Sequence, residues 1–245
     1  MGSGMKIWNR DVIKYFAMLT MLLNHIANVF LEPGTLLYEF CLNIGYFTAV
    51  TMCYFLVEGY GYTHSKRKYA RRLLVFAGVS QIPYGMAFAE DGWFEFSGFN
   101  MIFTLFLCFL LICILEQEKV RTMRTLGIIV IFLVCVFCDW SVLAPAFTML
   151  FVWAKDSEKK KGIAFLTAMV LFGGMTFLGG MGRIPIVMNL MYAVFGMLGV
   201  GLSGIVILYF YNGRRMEKGR KFSKWFFYWF YPVHLLVIGI VRTLI

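Results

Sequence analysis

Long apolar runs, separated by short charged interludes, fill nearly the whole chain. A helix on a water-soluble core alternates an apolar stripe with a polar face, and a membrane strand alternates residue by residue. Here the runs are continuous. Their limits predict membrane helices at 11–31, 36–62, 73–89, 101–115, 122–138, 140–154, 162–180, 186–211 and 222–243. A bilayer core of about 30 Å takes about 20 apolar residues per helix, so the runs 101–115 and 140–154 are short enough to tilt or re-enter. The expected fold is all-α: a polytopic integral membrane protein of about nine transmembrane helices. Residues 1–4 read as a cloning remnant, and 5–245 as one transmembrane domain. The first run is too long, and has no small-residue cleavage site, for a removable signal peptide. It is expected to remain as a membrane anchor.

The interludes alternate in sign. The N-terminal end carries Lys6, Arg10 and Lys14, and the next interlude carries Glu32 and Glu39. The stretch 64–72 is basic, and Glu90, Asp91 and Glu95 make the next loop acidic. Lys119, Arg121 and Arg124, then Lys155 with Lys159–Lys161, and finally Arg214, Arg215, Lys218, Arg220 and Lys221 continue the basic set. Lys and Arg concentrate in cytoplasmic loops. The pattern therefore predicts the N-terminus inside and the C-terminus outside, in the inner (cytoplasmic) membrane of the cell.

Composition fits this reading: 60% of residues are hydrophobic, only 15% are charged, and mean hydropathy is +0.75. The charged share falls well below the ~25% of globular chains. A formal charge of +10 raises the idea of nucleic acid, but inside-loop placement and anionic headgroups account for it, so no nucleic-acid partner is expected. Cysteines 41, 53, 108, 113, 135 and 138 all lie in or beside apolar runs, without zinc-ligand spacing to histidine. They read as small core residues, with neither a metal site nor a disulfide framework. The chain shows no internal repeat, the usual sequence pointer to a secondary transporter.

Polar and ionisable side chains inside the hydrocarbon are costly and mark function by default. The first run holds Lys14, Asn24, His25 and Asn28; the second holds Glu58 near its end. Gln81 precedes Pro83, Asn100 opens the fourth run, Asp139 follows the fifth, Asn189 opens the eighth, and Tyr231-Pro232-Val233-His234 lies in the last. On the residues alone, His25 and His234 read either as packing histidines bonded to a neighbouring helix or as proton-transfer groups. His64, in a basic loop, reads as surface. Asn28 shares a helix face with His25, and Lys14 precedes it by eleven residues, about three turns. One stripe thus carries a cation at the inner surface and a base in the interior.

The same residues carry a resemblance. The stretch from Lys14 through Thr20-Met21-Leu22-Leu23-Asn24-His25, the block Tyr54-Phe55-Leu56-Val57-Glu58-Gly59-Tyr60, and Lys68-Tyr69-Ala70-Arg71-Arg72 with Ser80-Gln81-Ile82-Pro83 come first. Asn100-Met101-Ile102-Phe103-Thr104-Leu105, Tyr211-Asn212-Gly213-Arg214-Arg215 and Tyr231-Pro232-Val233-His234-Leu235-Leu236 follow. In this order they resemble the TraX family of pilin N-terminal acetylases and, more distantly, the acyltransferase-3 superfamily. Asn24 stands where the family usually has Asp. Nothing in the chain itself points to a pilus.

The resemblance implies an acyltransferase domain that moves an acetyl group from cytosolic acetyl-CoA to an amine or hydroxyl of a membrane or envelope acceptor, a peptide N-terminus, glycan or lipid-linked group. It implies His25 as general base with Glu58 as the second acid/base group. Lys14, Arg71, Arg72, Arg214 and Arg215, aided by Lys66, Arg67 and Lys68, would face the CoA phosphates. Asn24, Asn28, Gln81, Asn100, Tyr231 and His234 would line the substrate cavity. The alternatives are a small-molecule or ion transporter or channel using the midplane His and Glu residues, and a non-catalytic scaffold; the oligomeric state is left open.

Overall fold

The computed structural model describes residues 6–245; the remnant at 1–4 lies outside them. Nine α-helices follow one another among the described residues: α1 Arg10–Phe30, α2 Leu36–Tyr62, α3 Lys66–Ala87, α4 Met101–Gln117, α5 Arg121–Cys135, α6 Leu143–Ala154, α7 Glu158–Gly180, α8 Ile186–Ile205 and α9 Arg220–Leu244. A five-residue π turn, Val206–Phe210, extends α8. Every predicted run is a helix, and the differences lie at the ends. The α3 helix begins at Lys66, so the basic stretch thought to be loop is its first turns. The α5 helix stops at Cys135, three residues before the apolar run ends, and α6 starts at Leu143.

Five helices are long and apolar enough to cross a membrane: α1, α2, α7, α8 with its π turn, and α9. The α4 and α6 helices are apolar but shorter, at 17 and 12 residues. Large apolar side chains stand exposed along these helices, Leu19, Leu166, Leu190, Leu198 and Val237 among them. In water such a surface would cost about 25 cal/mol per Å²; against lipid tails it costs nothing comparable.

Side-chain caps start the helices. The Asn9 side chain accepts from the backbone N–H of Asp11 and Val12, and Asn100 does the same for Ile102 and Phe103 at the head of α4. Ser65 and Ser157 cap α3 and α7. Each such cap is worth about 1 kcal/mol. Pro83 and Pro232 sit inside α3 and α9, where each removes one backbone hydrogen bond; the helices run on through both.

The chain divides into two compact units. The first comprises the chain up to Met52 with Asp156–Lys224: α1, most of α2, α7, α8 and the π turn. The second comprises Cys53–Lys155 with Trp225–Ile245: the end of α2, α3 to α6 and most of α9. In the first unit small residues let helices approach closely, as the lack of a hydrophobic driving force in lipid favours. A Cβ at Gly199 of α8 would lie 2.0 Å from the Asn43 carbonyl oxygen of α2. The Asn189 amide ties α8 to α7 by donating to the Phe177 carbonyl at 2.7 Å.

Candidate active site

In the first unit the residues converge on α1. His25 is buried there, 8% exposed, about 16 Å along the axis from Lys14. Asn24, half-buried beside it, donates its amide to the Leu42 carbonyl of α2 at 2.8 Å. Its own side-chain oxygen and its carbonyl accept from the Asn28 amide, at 3.0 and 2.8 Å. The Asn28 amide nitrogen thus serves Asn24, and Asn28 itself is exposed. One turn nearer the N-terminus, the Thr20 and Thr48 hydroxyls lie 2.9 Å apart and both donate to the Ala17 carbonyl, at 3.0 and 2.6 Å. These joints fix the register of α1 on α2, and hence where His25 stands.

The N-terminal end of α1 is clamped as well. Trp8 N–H donates to the Phe210 carbonyl, Asn212 N–H to Trp8, and Arg10 N–H to Arg214, all within 2.9–3.0 Å. Asp11 is buried, and its carboxylate accepts from Met216 N–H at 2.8 Å. The π turn makes this possible by bringing Tyr211 N–H onto the Val206 carbonyl and turning the chain back. Arg214 and Arg215 are therefore held, exposed, beside the first turns of the helix that bears Lys14 and His25. Nothing in the sequence singled out Asp11: an acid in a first helical turn is ordinary, and a partner 205 residues away leaves no local signal.

The second unit gathers other candidates. Gln81 of α3 donates to the Gly98 carbonyl at 2.8 Å and accepts from the Asn100 side-chain amide at 2.8 Å and its backbone N–H at 3.2 Å. The Asn100 amide also reaches the Ala77 carbonyl at 2.8 Å, and the Tyr231 hydroxyl accepts from Met101 N–H at 3.3 Å. Gln81, Asn100 and Tyr231 thus meet, as three helices' contribution to one buried network. Asn100 is 0% exposed, and its side-chain groups serve Gln81 and the neighbouring backbone. His234 is buried on α9, its Nδ1 2.7 Å from the Phe230 carbonyl and its ring stacked on Phe230 at 4.9 Å.

Asp139 joins this network through its backbone. Its N–H donates to the Phe99 carbonyl at 2.8 Å, and its carbonyl accepts from the Thr104 hydroxyl at 2.7 Å. Burial pushes its carboxyl up to about 6, offset in part by the N–H of Trp140. Trp140 has a φ of 57°, a left-handed conformation that a bulky residue holds only under strain.

The basic and acidic candidates near the chain's second interlude are distributed differently. Glu58 is half-buried one turn before the end of α2. Lys66 is committed to that helix end: it donates to the Tyr60 carbonyl and, at 3.0 Å, to Thr63, with its ammonium 3.8 Å above the Tyr60 ring. It acts as a C-terminal cap, which leaves it poorly placed for phosphate. Arg72 Nε lies 3.5 Å from the Tyr228 hydroxyl, whereas Arg71 is exposed, as is His64. Lys14, Arg214 and Arg215 belong to the first unit, and Arg71 and Arg72 to the second. Among the described residues no three His, Cys, Asp or Glu side chains gather as a metal site.

A family model described as TraX protein matches residues 9–242. The chain belongs to the TraX family. A Dichelobacter nodosus protein named "Probable fimbrial assembly protein FimC, serogroup H1" is 29% identical over 240 residues, spanning 92% of each chain. No solved structure matches. The matched stretch takes in every candidate above, from Lys14 to His234.

Proposed function

We propose that this TraX-family chain is a membrane acetyltransferase of the inner membrane, with nine spans, its N-terminus inside and its C-terminus outside. It takes an acetyl group from cytosolic acetyl-CoA and passes it to an amine or hydroxyl of an envelope acceptor. The observation that carries this reading is the buried His25 of α1, on one stripe with Lys14, in a chain matched over 9–242 to the family whose sequence likeness implies acetyl transfer. The fimbrial-assembly name of the relative favours a peptide N-terminal amine as the acceptor to try first.

In the proposed step the acceptor nitrogen attacks the thioester carbonyl carbon. The C–S bond breaks, an amide forms, and CoA leaves as a thiol. His25 takes the proton that the nitrogen sheds and returns it to the departing sulfur, so no covalent enzyme intermediate is needed. Such general-base help is worth roughly 10²–10⁴-fold. Two cation sets suit the CoA phosphates: Lys14 with Arg214 and Arg215 in the first unit, and Arg71 with Arg72 in the second. Glu58 is the second acid/base group.

The test is transfer of labelled acetyl from acetyl-CoA to pilin-type peptides and envelope extracts by the purified protein in nanodiscs. His25→Ala should lower kcat roughly 100-fold or more while acetyl-CoA still binds, and His25→Asn should be as inactive, because an amide accepts no proton. Near-normal turnover by folded His25→Ala protein would leave His25 a packing residue. Transport of a solute without acetyl transfer would favour the channel alternative.

A further inference from the structure

Two of the six cysteines are placed for chemistry with each other. Cys135 ends α5 and Cys138 stands in the turn that follows, a Cys-Val-Phe-Cys stretch inside one apolar run. The helix breaks there because the backbone tightens: Phe137 N–H reaches the Val134 carbonyl and Cys138 N–H the Cys135 carbonyl, at 3.2 and 3.0 Å. A turn closed from one residue to the third beyond it brings their Cα atoms within about 7 Å, and disulfides span about 4.4–6.8 Å. The Cys138 thiol donates to the Val134 carbonyl at 3.5 Å, and both cysteines share one apolar cluster with Leu107, Leu111 and Ile131.

We propose that Cys135 and Cys138 are a disulfide-forming modification site, converted by thiol–disulfide exchange with a disulfide-bearing oxidant on the side of the membrane that the proposed topology, on which this placement rests, puts outside. Cys138 is the sulfur that attacks first. It is 8% exposed, whereas Cys135 is 0% exposed, and it lies in the turn outside the helix. The Cys138 thiolate attacks one sulfur of the oxidant, which releases one thiol. Cys135, losing its proton, then attacks the Cys138 sulfur and expels the second thiol. Two electrons pass from the cysteine pair to the oxidant.

Two other thiols of the unit, Cys53 and Cys108, are shielded from this exchange, and Cys113 is half-buried on a different helix, α4. Cys53 and Cys108 are both 0% exposed. Cys53 points its thiol at the Ala144 carbonyl, 3.7 Å away. A cross-link over so short a loop constrains the unfolded chain little, so the pair is an exchangeable bond more than a structural staple. Its position gives the bond a consequence. It ties the end of α5 to the turn that holds Asp139 on Phe99 and Thr104 and keeps Trp140 at positive φ.

The experiment uses the full chain in nanodiscs, incubated with oxidised glutathione, quenched in acid, unfolded, alkylated and digested for mass spectrometry. The expected result is a peptide containing Cys135 and Cys138 that is lighter by two hydrogens and carries no alkyl group, with Cys53 and Cys108 alkylated. Cys135→Ser should leave a glutathione adduct on Cys138 that does not resolve. Full alkylation of both cysteines, a lasting adduct on Cys138 in the unsubstituted protein, or a Cys53–Cys108 cross-link in its place would each overturn the assignment.

Discussion

Asn24 of α1 lies directly over Gly45 of α2, so close that a Cβ on Gly45 would stand 2.2 Å from the Asn24 Cβ. This contact, with the Asn24 amide on the Leu42 carbonyl at 2.8 Å, sets the register of the helix carrying His25. Gly45→Ala should wedge the two helices apart. The expected cost is about 1–3 kcal/mol, read as a lower Tm in detergent, with acetyl transfer reduced further than stability alone explains because His25 moves with α1.

The same contact explains what restoring the family's usual Asp would do. An ionised carboxylate has no hydrogen to donate, so Asn24→Asp would set an anion against the Leu42 carbonyl. Losing the bond and burying the mismatch should cost about 1–3 kcal/mol. Protonated Asp regains a donor, so the loss of Tm should be smaller at mildly acidic pH than at alkaline pH. Equal losses at both would mean that Asn24 does not depend on donating to Leu42.

Asp139 gives a second pH dependence, with a sign that can be worked out. Its folded value of about 6 lies above its ordinary 3.8, so the folded state binds the proton more tightly. Stability from this group is then full below about 4, falls as pH rises toward 6, and stays low above it. The span is at most about 3 kcal/mol. Asp139→Asn should flatten that part of the Tm-against-pH curve; an unchanged slope would place its origin elsewhere.

How much of this the sequence reveals follows from what each feature depends on. Helix positions were legible because lipid-facing helices are apolar on all sides, as along Leu190, Leu198 and Val237. The end of α5 was not: Val136-Phe137-Cys138 continues the apolar run, and hydropathy does not register a backbone that tightens into a turn. The start of α3 was missed for the opposite reason, because a charged helical turn scores as loop even with Ser65 at hand as a cap. Gln81, Asn100 and Tyr231 stood out singly as polar groups in apolar runs. Their meeting depends on how α3, α4 and α9 pack, which no local pattern encodes. The Asn24–Gly45 register and the Asp11–Met216 clasp are hidden for the same reason.

The proposed topology makes a direct forecast. Single cysteines introduced within 91–98 should react with a membrane-impermeant maleimide on intact cells, and those within 212–221 should react only after lysis. The background should be low, since five of the six native cysteines are buried. Labelling of a 212–221 position from outside would reverse the orientation drawn from the alternating charges.

The last forecast concerns the donor, and it separates the two cation sets. Arg214, Arg215 and Arg71 are exposed, so any hold they have on CoA phosphates is partly screened and should weaken as salt rises. Arg214→Gln with Arg215→Gln should raise the KM for acetyl-CoA several-fold, leave kcat and the acceptor KM nearly unchanged, and flatten the salt dependence. That pattern marks lost ground-state binding. The Arg71→Gln, Arg72→Gln pair should raise the same KM, with an added fall in Tm from Arg72, whose Nε lies against Tyr228 and whose guanidinium sits 5.5 Å from the Tyr69 ring. Lys is a poor stand-in for Arg at a bidentate phosphate contact, so Arg→Lys at the true phosphate site should restore only part of the affinity, whereas at a site that serves topology alone it should behave as the unsubstituted protein. A donor KM that no substitution in either set moves would leave these arginines as orientation signals, and the phosphates would have to be met elsewhere.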